Sequence, residues 1–178
     1  QKKEFIKTMC EEPSTHLVFK NQNILNNLNI PIIKTTAISA ALKESIQINN
    51  IPGYKEGYWW VQDLAIMLPL YFNGNVKNKL TADLCAAPGG KTFQLLSFGG
   101  KVEAFEKNNL RAKLMQENLK RLKLNCKVTI KDALTINNKK KFDLIVLDAP
   151  CSSIGTIRRH PEIFFRKRSP DFNKLISL

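Results

Sequence analysis

The residues best suited to chemistry form one stretch, residues 80–92, in which a short apolar run containing Asp83 precedes Cys-Ala-Ala-Pro-Gly-Gly-Lys-Thr. Glycine has no Cβ, so the backbone at the Gly pair can approach a ligand closely. A helix that begins beyond the pair presents free N–H groups. The stretch therefore predicts a β-strand that turns into a helix around a bound ligand.

Two known ligand loops fit this stretch poorly. The phosphate loop, G-x-x-x-x-G-K-[ST], matches Gly90, Lys91 and Thr92 but needs a glycine where Cys85 stands. Pro88 also removes one N–H group from the phosphate cradle. The dinucleotide fingerprint, G-x-G-x-x-G, fails because only the adjacent glycine pair is present.

A third loop matches closely. The string Asp-Leu-Cys-Ala-Ala-Pro-Gly-Gly-Lys-Thr, which begins at Asp83, resembles the first motif of the RNA cytosine-5 methyltransferases, which use S-adenosylmethionine. An ordinary strand-to-helix turn is the alternative. The resemblance implies that the cofactor is bound by Cys85, Ala86, Ala87, Pro88, Gly89, Gly90 and Lys91.

Acidic side chains end the strands that follow. The second strand, residues 101–106, ends at Glu106, whose carboxylate could accept both hydroxyls of a ribose. Glu103 is an alternative on the same strand. The third strand ends at Asp132, which could accept from an adenine amino group, although Asp also caps helices. We expect Glu106, Asp132 and Asp148, at the end of the fourth strand, to bind the cofactor.

The fourth strand runs into Asp148-Ala149-Pro150-Cys151. An acid after an apolar strand also describes the magnesium ligand of a phosphate-loop ATPase, but Pro150-Cys151 does not fit that enzyme. Asp-Ala-Pro-Cys resembles the fourth motif of the RNA cytosine-5 methyltransferases. Residues 155–163 resemble the bacterial Sun (Fmu) branch of that family, which methylates 16S ribosomal RNA. The resemblance covers residues from about 14 to 170.

The resemblance implies methylation of cytosine C5 in RNA, with S-adenosylmethionine as the methyl donor. A thiolate adds to C6 and makes C5 nucleophilic, on a base that has left its stack. In this family the counterpart of Cys151 assists product release, and the attacking thiol lies in a later Thr-Cys motif. No Thr-Cys pair occurs in this sequence. The chain is therefore interpreted as a fragment that lacks the main nucleophile and is inactive alone.

The basic residues predict a nucleic-acid partner. The formal net charge is +13, and most of the excess lies after residue 80. We expect RNA binding, with ribosomal RNA as the partner, at Arg158, Arg159, Arg166, Lys167 and Arg168. A solvated charge run is the alternative for this cluster. A non-catalytic RNA-binding module and a phosphate-loop-like ATPase are the alternative functions.

The elements that must position these residues alternate from residue 80 onward. Strands are predicted near 80–84, 101–106, 126–131 and 142–148, with helices near 91–98 and 109–123. The second helix carries Leu110, Leu114, Leu119 and Leu122 at helical spacing. Its basic side chains are predicted to face solvent: Arg111, Lys113, Lys120, Arg121 and Lys123.

This alternation predicts an α/β fold with a parallel sheet, and the resemblance identifies it as a Rossmann-like methyltransferase sheet. The sheet is expected to be incomplete at its C-terminal end, with residues 142–147 exposed at an edge. Residues 1–50 are predicted to form a small α/β appendage that could contact RNA, with a strand over 15–20 and a short helix. Residues 51–178 are predicted to form the methyltransferase domain.

Cysteine spacing, the length of apolar runs and the two tryptophans give further expectations about metals, membranes and base stacking. The four cysteines contain no C-x-x-C pair, so neither zinc nor any other metal is expected, and disulfides are not expected either. No apolar run is long enough to span a membrane. Trp59 and Trp60 could stack on bases, although core packing is favoured for at least one. We expect a cytoplasmic protein that is monomeric at full length.

Overall fold

The computed structural model describes residues 3–4, 7, 9, 11–136, 141–165 and 171–176. The chain divides into two compact units, residues 15–148 and residues 1–14 with 149–178. The larger unit runs through the boundary predicted at residue 50. It contains two four-stranded sheets, so the larger unit carries most of the described architecture.

The first sheet is antiparallel, in the order β2-β3-β1-β4. Its strands are β1 (His16–Phe19), β2 (Ile32–Thr36), β3 (Ser39–Leu42) and β4 (Trp59–Val61). Helix α1 (Gln22–Asn26) follows β1 and begins at Asn21, whose side chain accepts from the Ile24 amide. The predicted early strand and short helix are confirmed.

Both tryptophans of β4 are buried core residues. Trp59 packs with Leu17 and Phe19, and Trp60 packs with Val18 against the helices of the second sheet. The Nε1 group of Trp59 donates to the Pro52 carbonyl at 2.8 Å. Base stacking by these rings is therefore wrong, because neither ring face is open to a ligand.

The second sheet is parallel, in the order β7-β6-β5-β8. Its strands are β5 (Leu80–Leu84), β6 (Lys101–Glu106), β7 (Lys127–Ile130) and β8 (Leu144–Leu147). Helix α2 (Leu64–Phe72) precedes it, and helices α3 (Gly90–Ser97) and α4 (Asn109–Arg121) connect its strands. The predicted parallel sheet is confirmed. Among the described strands, β8 pairs only with β5, so it lies at an edge as predicted.

The buried face of α4 differs from the prediction. Its buried residues are Ala112, Met115 and Leu119, and Leu122 just beyond is also buried. Leu110 and Leu114 are exposed. The predicted leucines and the residues that are buried both recur at helical spacing. The prediction considered only leucines, whereas Ala and Met also pack against the sheet.

Arg121, predicted to face solvent, instead fixes the end of α4. Its guanidinium donates to the carbonyls of Tyr54 and Trp59 and lies 4.3 Å from the centre of the Tyr54 ring. Burial lowers the pKa of Arg121. Gly57 packs so closely here that an added Cβ would lie 2.0 Å from the Arg121 carbonyl oxygen. The turn at residues 51–58 is thus fixed to α4.

The described residues of the smaller unit include the short 3₁₀ segments Ile154–Thr156 and Pro161–Phe165 and helix α5 (Phe172–Ile176). Within this unit, the side chains of Arg158 and Arg159 donate to the carbonyls of Glu11 and Ser14. In the described part of the chain, we find no helix with the length and apolar character needed to cross a membrane.

Candidate cofactor site

The loop after β5 turns sharply at the carboxyl end of the parallel sheet. Cys85 has a positive φ of 60°, and the Ala86 amide donates to the Phe105 carbonyl of β6 at 3.0 Å. Gly89 has a φ of 113°, and α3 begins at the next residue. The loop is thereby held between the ends of two neighbouring strands.

Packing within the protein also favours glycine at positions 89 and 90. A Cβ on Gly89 would lie 2.2 Å from the Phe93 ring, and its φ disfavours any L side chain. A Cβ on Gly90 would lie 3.3 Å from the Gln62 side chain. Close approach to a ligand, which the sequence suggests, is therefore not the only reason for glycine here.

Glu106 is held at the end of β6 and is only 3% exposed. One carboxylate oxygen accepts from the Ala87 amide at 3.2 Å, and the other accepts from the Asn108 amide at 2.9 Å. An ionised carboxylate has about four acceptor positions, so acceptor capacity remains on both oxygens. Glu106 therefore lies directly against the loop and has a fixed orientation.

Arg111 is a site residue that the sequence analysis missed. Its guanidinium donates to the Ala87 carbonyl and lies 3.9 Å from the Glu106 carboxylate. Asn108 caps α4 by accepting from the Arg111 amide, and this fixes the first turn of the helix at the sheet end. The signal available in the sequence was the position of this arginine, five residues after an acid that ends a strand and in the first turn of the next helix.

Asp83 is a second buried acid at this end of the sheet. Its carboxylate accepts from the Thr92 hydroxyl of α3, and it is 1% exposed. Burial raises the pKa of Asp83 to about 6, while the Thr92 hydrogen bond and the charge of Lys91 act in the opposite direction. Asp83 and Thr92 thus link the strand to the helix beneath the loop.

Lys91 and Asp148 meet at the ends of neighbouring elements. The Lys91 ammonium lies 2.6 Å from the Asp148 carboxylate, and the Asp148 side chain is 60% exposed. The alignment of β5 with β8 brings the two residues together, since Leu84 pairs with Leu147. Two residues predicted for the cofactor site are therefore adjacent, and the acid remains accessible to solvent.

Asp132 lies at the same edge of the sheet, because the Lys131 amide donates to the Glu106 carbonyl at 3.1 Å. One oxygen of Asp132 accepts from the Leu134 amide, and the other lies 3.8 Å from the Lys107 ammonium. The capping role that the sequence left open is present. The second oxygen, beside an exposed lysine, remains accessible.

A series of hydrogen bonds between buried polar side chains connects α3 to β4 and α2. The Trp60 indole donates to Gln62, Gln62 donates to Gln94, and Gln94 donates to the Met67 carbonyl. Each amide side chain is almost fully buried and paired, which fixes α3 against β4 and α2. The spacing of these residues in the sequence gave no sign of this network.

The cysteines differ in their surroundings. Burial, followed by the nearby Glu106 charge, raises the pKa of Cys85, and burial raises the pKa of Cys126 to about 11. Both thiols are thus poorly suited to act as thiolates. Cys151, in the smaller unit, is exposed, and the Ser153 amide donates to its sulfur at 3.3 Å.

The predicted RNA-binding residues fall into two groups. Arg158 and Arg159 are bound to main-chain carbonyls of residues 11–14, which gives them a structural role beside any contact with phosphate. Arg166, Lys167 and Arg168 lie outside the described residues.

A parallel sheet with a strand-to-helix loop at its carboxyl end, flanked by buried and exposed acids, defines a Rossmann-like methyltransferase fold. Residues 73–178 match the family described as 16S rRNA methyltransferase RsmB/F. This chain belongs to that family. Membership of this family argues against the alternative that the chain is a phosphate-loop ATPase. The sequence agrees, because Cys85 stands where the phosphate-loop motif has its first glycine.

Individual relatives agree with this assignment. Over 166 residues and 90% of this chain, it is 36% identical to ribosomal RNA small subunit methyltransferase B of Vibrio vulnificus. The protein of the same name from Vibrio cholerae is 39% identical over 77% of this chain. The chain spans 38% and 33% of the lengths of these relatives.

A solved structure supports the fold. A methyltransferase homolog protein from Pyrococcus horikoshii superimposes with a TM-score of 0.73 at 27% identity. The match covers 86% of this chain and 55% of that protein.

Proposed function

We propose that this chain forms the S-adenosylmethionine-binding part of an RNA methyltransferase that acts on cytosine C5 of 16S ribosomal RNA. The observation that carries the proposal is the loop Cys85–Lys91 held against the buried Glu106 carboxylate, in a chain of the 16S rRNA methyltransferase family. We also propose that the enzyme is cytoplasmic. We further propose that the full-length protein is a monomer.

The residues at the site suit this cofactor. Glu106 has acceptor capacity left for a ribose diol, and its two amide contacts fix the direction in which that capacity points. Asp132 retains an accessible oxygen that suits an amino group of the base. Asp148 is exposed beside Lys91 and suits the charged end of the cofactor. When bound, S-adenosylmethionine supplies an electrophilic methyl group.

Arg111 and Lys91 act on the site through other groups. Arg111 ties the Ala87 carbonyl to the vicinity of Glu106, and its positive charge offsets the buried carboxylate. Lys91 orients the Asp148 carboxylate through the 2.6 Å contact. Charge-assisted contacts of this kind hold site groups in place before a ligand arrives.

Cys151 suits the later part of the reaction. The thiol is exposed and receives a hydrogen bond from the Ser153 amide. As in the resembling family, we assign it to release of the methylated base, with the attacking thiol supplied by a Thr-Cys pair that these 178 residues do not contain. We therefore expect residues 1–178 alone to show no methyl transfer.

Titration of the full-length protein tests the cofactor. We expect binding of S-adenosylhomocysteine without magnesium and no competition from ATP with magnesium. Glu106→Ala should weaken S-adenosylhomocysteine by about 10- to 100-fold, because a hydrogen bond to a charged acceptor contributes about 1.5–3 kcal/mol. Glu103→Ala, on the same strand, is the control and should leave the affinity within about twofold. Tight magnesium-dependent ATP binding with no response to S-adenosylhomocysteine would contradict the proposal.

A further inference from the structure

Lysines gather at the amino end of the parallel sheet, opposite the cofactor loop. Lys101 and Lys127 begin β6 and β7, Lys79 immediately precedes β5, and Lys141 lies three residues before β8. The strand order β7-β6-β5-β8 therefore arranges them as one row, Lys127, Lys101, Lys79 and Lys141. All four are exposed.

Hydrogen bonds between the strand ends fix this row. The Lys101 amide donates to the Lys79 carbonyl at 2.9 Å, and the Asp143 amide donates to the Leu80 carbonyl at 2.8 Å. Lys77 lies against the turn before β6, since a Cβ on Gly99 would be 3.3 Å from its Cγ. Neighbouring strands are about 4.8 Å apart, so the row spans roughly 15 Å. That length accommodates several consecutive nucleotides of one RNA strand.

A further lysine borders the row at the end of α4. Lys123 lies close enough to Lys20 to contribute to the lowered pKa of that lysine, after the larger effect of burial. Lys20 itself donates to the Leu122 carbonyl, and Arg121 donates to Tyr54 and Trp59, so both are engaged within the fold. Lys123 is exposed and makes no such contact among the described residues.

Acidic groups at this end do not balance the lysines. Asp143 accepts from the Leu80 amide, and Glu103 lies half-buried opposite Lys127 in the pairing of β6 with β7. The acids of the cofactor site lie at the other end of the strands: Asp83, Glu106, Asp132 and Asp148. Glu56, in the turn fixed to the end of α4, is a third acid here. Among the described residues, six exposed lysines outnumber these three acids: Lys77, Lys79, Lys101, Lys123, Lys127 and Lys141.

We propose that these six lysines, the amino-end row, form a second contact surface for the phosphate backbone of RNA. The occupant is RNA because the surface is a line of separate exposed ammonium groups at intervals set by the strands. Such a surface suits repeated phosphates and reads no bases. The proposal rests on the proposed RNA substrate, and it places part of that RNA at the end of the sheet opposite the cofactor loop.

The test uses the salt dependence of RNA binding by the full-length protein, with deproteinised 16S ribosomal RNA as the probe. The test variant is Lys79→Gln/Lys101→Gln/Lys127→Gln. The control, Lys34→Gln/Lys43→Gln/Lys113→Gln, removes the same charge from exposed lysines away from the row. Each phosphate contact contributes about 0.7–0.9 to the slope of log affinity against log salt. We expect the row variant to lower the slope by about 2 and the control by less than 1.

Equal slopes for the two variants would overturn the proposal. Loss of binding to phosphatidylglycerol vesicles, with an unchanged RNA slope, would overturn it in favour of a membrane surface. Both variants should bind S-adenosylhomocysteine as the wild type does, which shows that the fold is intact. Failure of the wild type to bind S-adenosylhomocysteine would contradict the proposed function instead, whatever the salt slopes.

Discussion

Two buried acids at the carboxyl end of the sheet have different partners and therefore different expected roles. Glu106 accepts hydrogen bonds from two backbone amides and lies beside Arg111, whereas Asp83 accepts a hydrogen bond from the Thr92 hydroxyl. The first arrangement fixes the direction of a carboxylate whose remaining lone pairs can accept from a ligand. The second leaves a carboxylate in an apolar setting, where burial raises its pKa to about 6.

Asp83 should make stability depend on pH. Its folded pKa of about 6 exceeds the unfolded value near 4, so this group stabilises the fold below about pH 4 and loses that contribution as pH rises to 6. Asp83→Asn keeps the acceptor for Thr92 but cannot ionise. From pH 4 to pH 7, the free energy of unfolding of the variant should gain up to about 3 kcal/mol relative to wild type.

Urea denaturation at both pH values measures this difference. Glu44→Gln, which changes an exposed acid of the same unit, provides the baseline. Parallel pH curves for the wild type and Asp83→Asn would show that Asp83 does not titrate in this range.

At the scale of elements, the connection between the turn at residues 51–58 and the end of α4 is tightly packed. Gly57 has a φ of 71°, and an added Cβ would lie 2.0 Å from the Arg121 carbonyl oxygen. Backbone atoms cannot rotate out of the way as a side chain can. Arg121 adds two hydrogen bonds to the same turn. Together they couple the antiparallel sheet to the parallel one within the larger unit.

Gly57→Ala should therefore destabilise the protein by about 3 kcal/mol or more, through overlap and an unfavourable φ. Gly74 provides a matched control, because its φ is 86° but no atom lies within 4 Å of an added Cβ. Gly74→Ala should cost about 1–2 kcal/mol. Chemical denaturation of both variants measures the difference, and equal losses would mean that the close contact at Gly57 relaxes without cost.

The alternation of strands and helices after residue 80 was readable from the sequence because each element carries its own periodic pattern. The buried face of α4 could not be predicted in the same way. Leu110 and Leu114 have the same helical spacing as the residues that are in fact buried, Ala112 and Met115. The loop is located by its resemblance to a family motif, and the acids by their positions at the ends of predicted strands. Arg111 was missed because its partners, Ala87 and Glu106, meet it only after the sheet forms.

At the scale of the whole molecule, β8 presents an apolar edge. Ile145 is 60% exposed and Leu147 is 62% exposed, and the strand pairs only with β5 among the described residues. An unpaired strand edge with apolar side chains recruits other strands. Residues 1–178 alone are therefore expected to self-associate.

Ile145→Lys should reduce this self-association, because charge on an edge strand opposes pairing with another chain. Phe72→Lys is the control: Phe72 is 76% exposed but lies at the end of helix α2, away from any strand edge. Light scattering of residues 1–178 at increasing concentration measures the effect. If both variants reduced self-association equally, its cause would be exposed apolar surface in general rather than the edge of β8.

Methyl transfer by the full-length protein is the direct test of cytosine C5 methylation of ribosomal RNA. The protein is incubated with S-adenosylmethionine carrying a labelled methyl group and with unmethylated 16S ribosomal RNA, and the nucleosides are then separated. We expect the label in 5-methylcytidine, reduced at least tenfold by Glu106→Ala at subsaturating cofactor. Label in any other nucleoside, or no transfer from a protein that binds S-adenosylhomocysteine, would contradict the proposed function.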